Sequence, residues 1–387
     1  MNINDILIHL GEERDKYFNA VSPPIMQTSN FVFDDIDQFR DKIQDELSNH
    51  IYTRGNNPTV KILRKKIAAL ENAEDCLVTS SGAAAMALSL LNNVSAGDHV
   101  ICVQKPYSWT YHLISQWLTK FGVEYDFVDG REIKNIASSL KPNTRVLFLE
   151  SPNSFTFELQ DLRACASLCK KHNIISIIDN SYSSPAFQKP LDMGIDIVCH
   201  SGTKYLNGHS DVVMGVVCSS HEHIRNMFAN EFMTLGLNIS PSDAALAIRG
   251  LRTFDIRMQR IQASTHTIAQ FLESHPRIQK VIYPFLPSFP QYQLAKEQML
   301  GCPGLLTIVL KTDLKEDVKK FSQALDKFLI AVSWGGYESL QMPALAFHDI
   351  PGKKDSTIPW NYIRLYIGLE DEQFLLKNLS SALDALG

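Results

Sequence analysis

Ser201-Gly202-Thr203-Lys204-Tyr205-Leu206-Asn207-Gly208-His209-Ser210-Asp211 sets one lysine between hydroxyls and follows it with a glycine loop. This is the composition of a site where an amine forms a Schiff base beside a bound phosphate. Taken alone, a Ser-x-Thr-Lys run equally fits a polar surface loop. The residues upstream separate the two readings. Ile174-Ile175-Ser176-Ile177-Ile178 reads as a buried strand that stops at Asp179, and a second apolar stretch, Ile195-Asp196-Ile197-Val198, precedes the lysine. Asp179-Asn180-Ser181 is good capping chemistry by itself. At the end of a buried strand, however, a carboxylate also pairs with a protonated pyridine nitrogen and keeps the ring an electron acceptor. Strand, Asp179, second apolar stretch and Lys204, in that order, point to pyridoxal 5'-phosphate (PLP) as cofactor.

Working outward, the chain reads as alternating strands and helices. Tyr52-Thr53-Arg54-Gly55-Asn56-Asn57-Pro58-Thr59 is a turn cluster leading into a helix whose positions 60, 63, 67 and 70 form one apolar face. Cys76-Leu77-Val78-Thr79 reads as a strand that turns through Ser80-Ser81-Gly82-Ala83 into an alanine-rich helix. The first N–H groups of such a helix are unsatisfied donors, so Gly82 and Ala83 are candidate phosphate contacts. His99-Val100-Ile101-Cys102-Val103 is a strand followed by Lys105-Pro106-Tyr107-Ser108-Trp109-Thr110-Tyr111, where Tyr107 either packs or stacks on a flat ring. Val146-Leu147-Phe148-Leu149 is another buried strand, running into Glu150-Ser151-Pro152-Asn153-Ser154. After Gly215 amphipathic helices dominate, among them 244–252, and Gly304–Leu310 reads as a strand. Arg364 lies inside an apolar, strand-like run, Tyr362-Ile363-Arg364-Leu365-Tyr366. A buried arginine needs an anionic partner, either Glu338, Glu370 or Asp371 within the chain or a ligand carboxylate. His172, His200 and His209 read as core or surface histidines.

These elements predict an α/β chain with an N-terminal arm over 1–45, a large cofactor-binding domain over 46–240 and a smaller C-terminal domain over 241–387. In the arm, Ile6, Leu7 and Leu10 form a short helical pattern, and consecutive prolines at 23 and 24 favour an extended conformation beyond it. With 387 residues, 45% hydrophobic and 20% charged, the chain can bury a sizeable core and is expected to be soluble and globular. A net charge of -5 provides no drive towards nucleic acid or anionic membranes. The odd count of seven cysteines, most in apolar contexts, predicts reduced core thiols, and Cys165 and Cys169 lack a second ligand pair, so no metal site is expected. Without a basic leader or a long apolar run, the expected location is cytoplasmic.

The block from Asp179 to Gly215 resembles the Cys/Met-metabolism (transsulfuration) family of PLP-dependent enzymes, and the likeness runs through nearly the whole chain. The resemblance implies the PLP-dependent transferase fold type I, aspartate aminotransferase-like, with a mostly parallel central sheet and an α+β C-terminal domain. It implies that Lys204 carries the cofactor and moves the α-proton, that Asp179 holds the pyridinium, and that Gly82, Ala83, Ser201 and Thr203 hold the phosphate. Tyr52 and Arg54 would reach the phosphate of a neighbouring subunit, giving a dimer with shared sites, paired again into a tetramer. Arginine suits that task because its planar fork binds phosphate oxygens in pairs.

By the same resemblance, Tyr107 stacks on the cofactor, and either Tyr107 or Lys204 protonates the leaving sulfur. Arg364 grips the α-carboxylate of a small sulfur amino acid. Ser333 and Trp334 belong to a substrate-edge loop, while Tyr111 and Trp109 read as packing residues, Trp109 being bulky enough beside its relatives' small residue to narrow the pocket as the alternative. Many relatives place an asparagine against the cofactor's phenolic oxygen where this chain has Ser154, next to Asn153. Ser154 and the Ser333–Tyr337 loop resemble the cystathionine β-lyase branch, so β-elimination of cystathionine to homocysteine, pyruvate and ammonia is the expected reaction. Tyr52–Pro58 and Val332 are closer to γ-acting relatives: cystathionine γ-synthase, homoserine-ester sulfhydrylases and the cystathionine or methionine γ-lyases. A non-catalytic cofactor-binding regulator is the third reading, disfavoured by intact Lys204, Asp179 and Arg364.

Overall fold

The first helix of the large domain shows how local sequence sets an element. In the computed structural model, which describes residues 2–352 and 356–386, a helix spans Pro58–Glu71. Pro58 opens it, where a missing N–H costs nothing, and the Asn57 side chain accepts from the Thr59 N–H at 2.9 Å. Val60, Leu63, Ile67 and Leu70, the predicted face, are all buried.

Twelve strands follow in chain order: β1 Asp75–Thr79, β2 His99–Val103, β3 Glu124–Val128, β4 Thr144–Glu150, β5 Ile175–Asp179, β6 Ile197–Ser201, β7 Gly215–Ser219, β8 Ile278–Ile282, β9 Leu305–Leu310, β10 Leu329–Ile330, β11 Leu340–Pro343 and β12 Tyr362–Tyr366. The first seven form a sheet in the order β1-β7-β6-β5-β4-β2-β3, parallel except that β7 runs antiparallel to both its neighbours. The last five form a second sheet in the order β10-β11-β12-β9-β8. Sequence reasoning missed β3, β7, β8, β10 and β11. The Gly215-Val-Val-Cys-Ser run is too short for periodicity to separate strand from helix.

The pleat divides the large sheet's side chains between two cores. Val146, Phe148 and Ile177 face the side covered by the helix Gly82–Leu91. Leu147, Leu149 and Ile178 face a cluster continuous with Leu306, Ile308 and Ile363 of the second sheet. Strands apolar on both faces are what a parallel sheet sandwiched between layers requires. The carboxyl ends of β4, β5 and β6 then deliver Glu150, Asp179 and Ser201 to one edge, with Glu150 directly opposite Asp179 in register. Open α/β sheets place their ligands at this edge.

The arm begins with the short helix expected there. Ile6 and Leu7 of a short helix, Ile3–Ile8, are buried in the core, and the ammonium of Lys66 donates to their carbonyls at 3.1 and 3.0 Å. Glu12, also buried, pairs with Lys66 at 3.2 Å and with Arg252 at 3.3 Å. Burying an ion pair so completely demands partners on every side, and these supply them. The stretch beyond is different: Phe18, Val21, Val32 and Ile36 are exposed. No helix among the described residues is long and apolar enough to cross a membrane.

Candidate active site

A cavity of about 750 Å³ opens at the carboxyl edge of the large sheet, against the loop 331–335 and strand β12. Lys204, Asp179, Ser201, Thr203, Gly82 and Ala83 line it, and so do Tyr107, Ser154, Ser333, Trp334 and Arg364. The fold thus gathers eleven predicted residues from segments spread over the chain. Tyr52 and Arg54 are not among them; both are exposed, with the Arg54 guanidinium 5.5 Å above the Tyr52 ring.

One end of the cavity is built for an anion. The helix Gly82–Leu91 starts there, capped by Ser81, whose hydroxyl accepts from the Ala84 N–H at 3.1 Å. That cap leaves the Gly82 and Ala83 N–H groups as donors at the positive end of the helix. Gly82 also lies against the end of β6: a Cβ there would stand 2.9 Å from the Ser201 hydroxyl and 2.8 Å from its Cβ. Only glycine permits that approach. Thr203 spans the same end, donating to the Met214 carbonyl at 3.2 Å and accepting from its N–H at 3.0 Å.

At the floor, Oδ1 of Asp179 accepts from the Ser181 N–H at 2.9 Å and from its hydroxyl at 2.5 Å. The same hydroxyl accepts from the Ser201 N–H at 2.6 Å, so strand ends β5 and β6 are clamped together. Among the described residues no donor reaches Oδ2. Burial raises the Asp179 carboxyl, while Ser181, His200 and Lys204 draw it down. A buried carboxylate with one open oxygen fits a pyridinium N–H. His200 is a core histidine, as expected, bound at 2.5 Å to buried Glu71.

At the other end, burial first and the Arg364 charge second push the Lys204 ammonium down to about 8. About a tenth is therefore neutral, nucleophilic amine at pH 7, far more than for a lysine at its ordinary value. Its Nζ donates to the Ser333 hydroxyl and sits 5.1 Å from the centroid of the Trp334 ring. Ser333 holds a left-handed conformation, φ +75°, and Gly335 follows at +91°. A Cβ at Gly335 would come within 2.9 Å of the Lys204 backbone, so the loop can lie on the lysine only with glycine there.

Arg364 occupies the middle of the second sheet, its guanidinium almost wholly buried. It donates to the Ser154 carbonyl at 3.2 Å and to the Ser333 carbonyl at 3.1 Å. None of the three internal partners considered for it is used. Glu338 binds the Ser210 hydroxyl at 2.7 and 2.8 Å, Glu370 binds Ser339, and Asp371 caps the helix Glu372–Asp384. Arg364 has no ion pair among the described residues and faces the cavity, which leaves its charge available to an anion from outside. Ser154 engages these partners through its backbone.

Two contributors escaped the sequence reading. Ser181 was seen only as part of a capping run, and Glu150 only as the end of a strand. Burial, then the Asp179 charge, raises the Glu150 carboxyl well above its ordinary range. Two parallel strands ending in acids at equal register would have been the signal, but register is not written in the sequence.

The cavity therefore offers an amine, an open carboxylate oxygen, a helix start and an aromatic residue, each suited to one part of PLP. When bound, the cofactor supplies an electron sink for charge developing at an amino acid's α-carbon. Fold and site together define a PLP-dependent enzyme of fold type I. The comparisons narrow the class: the chain belongs to the family described as Cys/Met metabolism PLP-dependent enzyme, whose sequence model matches residues 4–384. An L-methionine gamma-lyase of Treponema denticola is 39% identical over 386 residues, covering 98% of this chain and 96% of that one. A cystathionine gamma-lyase of Rattus norvegicus is 39% identical over 384 residues, covering 98% and 92%. The crystal structure of metB from Corynebacterium glutamicum superposes with a TM-score of 0.93 at 32% identity, covering 100% of this chain and 99% of that one. The chain is a PLP-dependent carbon–sulfur lyase of Cys/Met metabolism.

Proposed function

We propose that the enzyme eliminates a thiol from the γ-carbon of an apolar sulfur amino acid of the methionine type, leaving a 2-oxo acid and ammonia. The observation that carries this reading is the wall of the cavity away from the cofactor end. Trp109, Phe155, Val332, Met342, Phe347 and Ile358 make most of it, with Ser108, Ser356 and Thr357 also in the lining. The ammonium of Lys105, also at the wall, is paired with Glu158 at 2.5 Å. An apolar wall favours a methylthio group, whereas the distal ammonium and carboxylate of cystathionine would lose hydration there without equivalent partners. The names of the two gamma-lyase relatives support elimination at the γ-carbon.

In this reading Arg364 holds the α-carboxylate, and Lys204, as the neutral amine, takes the α-proton and later a proton at the β-carbon. Burial and the charges of Asp179 and Glu150 raise the Tyr107 phenol, so it stays protonated and can supply the departing sulfur. The Ser333–Tyr337 loop, by its resemblance to β-lyases, keeps β-elimination of cystathionine as the second reading. Supplying purified enzyme with methionine and cystathionine separately and identifying the 2-oxo acid distinguishes them. The expected result is 2-oxobutyrate, fastest from methionine; predominant pyruvate from cystathionine would restore the β-lyase reading, and turnover of a homoserine ester with sulfide the replacement reading.

The working unit in this proposal is a dimer, paired into a tetramer, with Tyr52 and Arg54 completing a neighbour's phosphate site. Their exposure outside their own cavity supports it, as does the apolar surface of the 18–43 segment. A cytoplasmic location is supported by seven cysteines that are all free and buried.

A further inference from the structure

We propose that Glu150 is a positioning residue that couples the aromatic face of the cofactor site to the carboxylate clamp. Its side chain is 5% exposed at the end of β4. Oε2 accepts from the Tyr107 N–H at 2.6 Å and Oε1 from the Ser154 N–H at 3.2 Å. Ser154 in turn accepts, through its carbonyl, from Arg364 at 3.2 Å. One carboxylate therefore joins the loop after β2, which carries the ring expected over the cofactor, to the turn that holds the arginine.

The choice of residue supports a role beyond filling space. A carboxylate buried opposite Asp179 is costly, and glutamine would avoid that cost. Glutamine, however, has a single acceptor atom; its amide N–H₂ would meet the second backbone N–H donor to donor. A carboxyl group keeps acceptor lone pairs on both oxygens and so accepts from both N–H groups at once. The inference holds for either carbon of elimination, since it concerns how the amino acid and the cofactor are aligned.

The test is Glu150→Gln in the PLP-loaded enzyme, with Glu150→Asp as a second variant that keeps both acceptors. For Glu150→Gln the expectation is a KM for the amino-acid substrate raised about tenfold, with a smaller fall in kcat. The visible circular dichroism of bound PLP should also weaken as the Tyr107 ring shifts, an effect readable without turnover. Glu150→Asp should recover part of both signals. In the Arg364→Leu background, Glu150→Gln should add little to KM, because the clamp it positions is gone. KM and dichroism within about twofold of wild type, or full additivity with Arg364→Leu, overturns the proposal. If Glu150→Gln does not fold, the same KM and dichroism criteria apply to Glu150→Leu, which removes both acceptors, with Glu150→Asp again the rescue.

Discussion

Lys204 and Arg364 show how burial turns common side chains into reagents. Only the neutral amine of Lys204 can attack the cofactor aldehyde, and its ammonium titrates at about 8. Since the protonated form dominates below that value, the rate of PLP capture by apoenzyme should rise about tenfold per pH unit below it and level off above. Stopped-flow absorbance between about pH 6 and pH 9 measures this, and a flat profile would contradict the assignment. Borohydride reduction of the yellow enzyme should fix the label on Lys204 alone, as peptide mapping would show. For Arg364, replacement by leucine removes a charge-assisted fork worth roughly 1.5–3 kcal/mol. KM should increase by about tenfold to over a hundredfold, each ~1.4 kcal/mol being a factor of ten. PLP affinity, measured by fluorescence titration, should change little, because Arg364 lies at the substrate end. These two residues were legible early: one follows a strand-Asp pattern, the other is a charge in an apolar run. Glu150 was not, because its value lies in two backbone donors, one 43 residues upstream and the other 4 residues downstream.

Among the elements, the helix Gly82–Leu91 does the most local work, since its start supplies the anion site and its apolar side seals one face of the large sheet. The close approach of Gly82 to Ser201 makes a sharp test. Gly82→Ala places a methyl 2.8 Å from the Ser201 Cβ and 2.9 Å from its backbone Cα, so the helix start must move away from β6. PLP affinity should fall at least about tenfold, the weight of one displaced charge-assisted contact. Unfolding by urea should show a loss of about 1–3 kcal/mol from overpacking. Unchanged affinity would mean that the phosphate is held elsewhere. The helix itself was readable from its alanine run and glycine start, but its closeness to β6 was not, because 119 residues of chain separate Gly82 from Ser201.

Across the whole molecule, the site is assembled where two sheets meet, and in the proposed dimer it is completed by a second chain. An inactive Lys204→Ala chain mixed with an inactive Arg54→Ala chain should then regain activity, because one kind of hybrid site has both groups intact. Activity after demonstrated subunit exchange is the readout. No recovery would remove Arg54 from the neighbour's site while leaving the lyase assignment untouched. The two-sheet arrangement also explains why Arg364 is free for substrate: its potential partners Glu338 and Glu370 are each engaged by a nearby serine hydroxyl instead.

The sequence by itself determined the cofactor, the strands that run into Glu150 and Asp179, and the starts of the helices at Pro58 and Gly82. All of these are encoded within a few residues of one another, as runs of apolar side chains, capping groups and obligatory glycines. Tertiary structure alone decided that Arg364 pairs with carbonyls of Ser154 and Ser333, that Tyr52 and Arg54 lie outside their own cavity, and that Glu150 stands opposite Asp179. Those relations join segments as far as 210 residues apart. They depend on strand order, register and sheet-to-sheet packing, which arise only when the chain closes on itself.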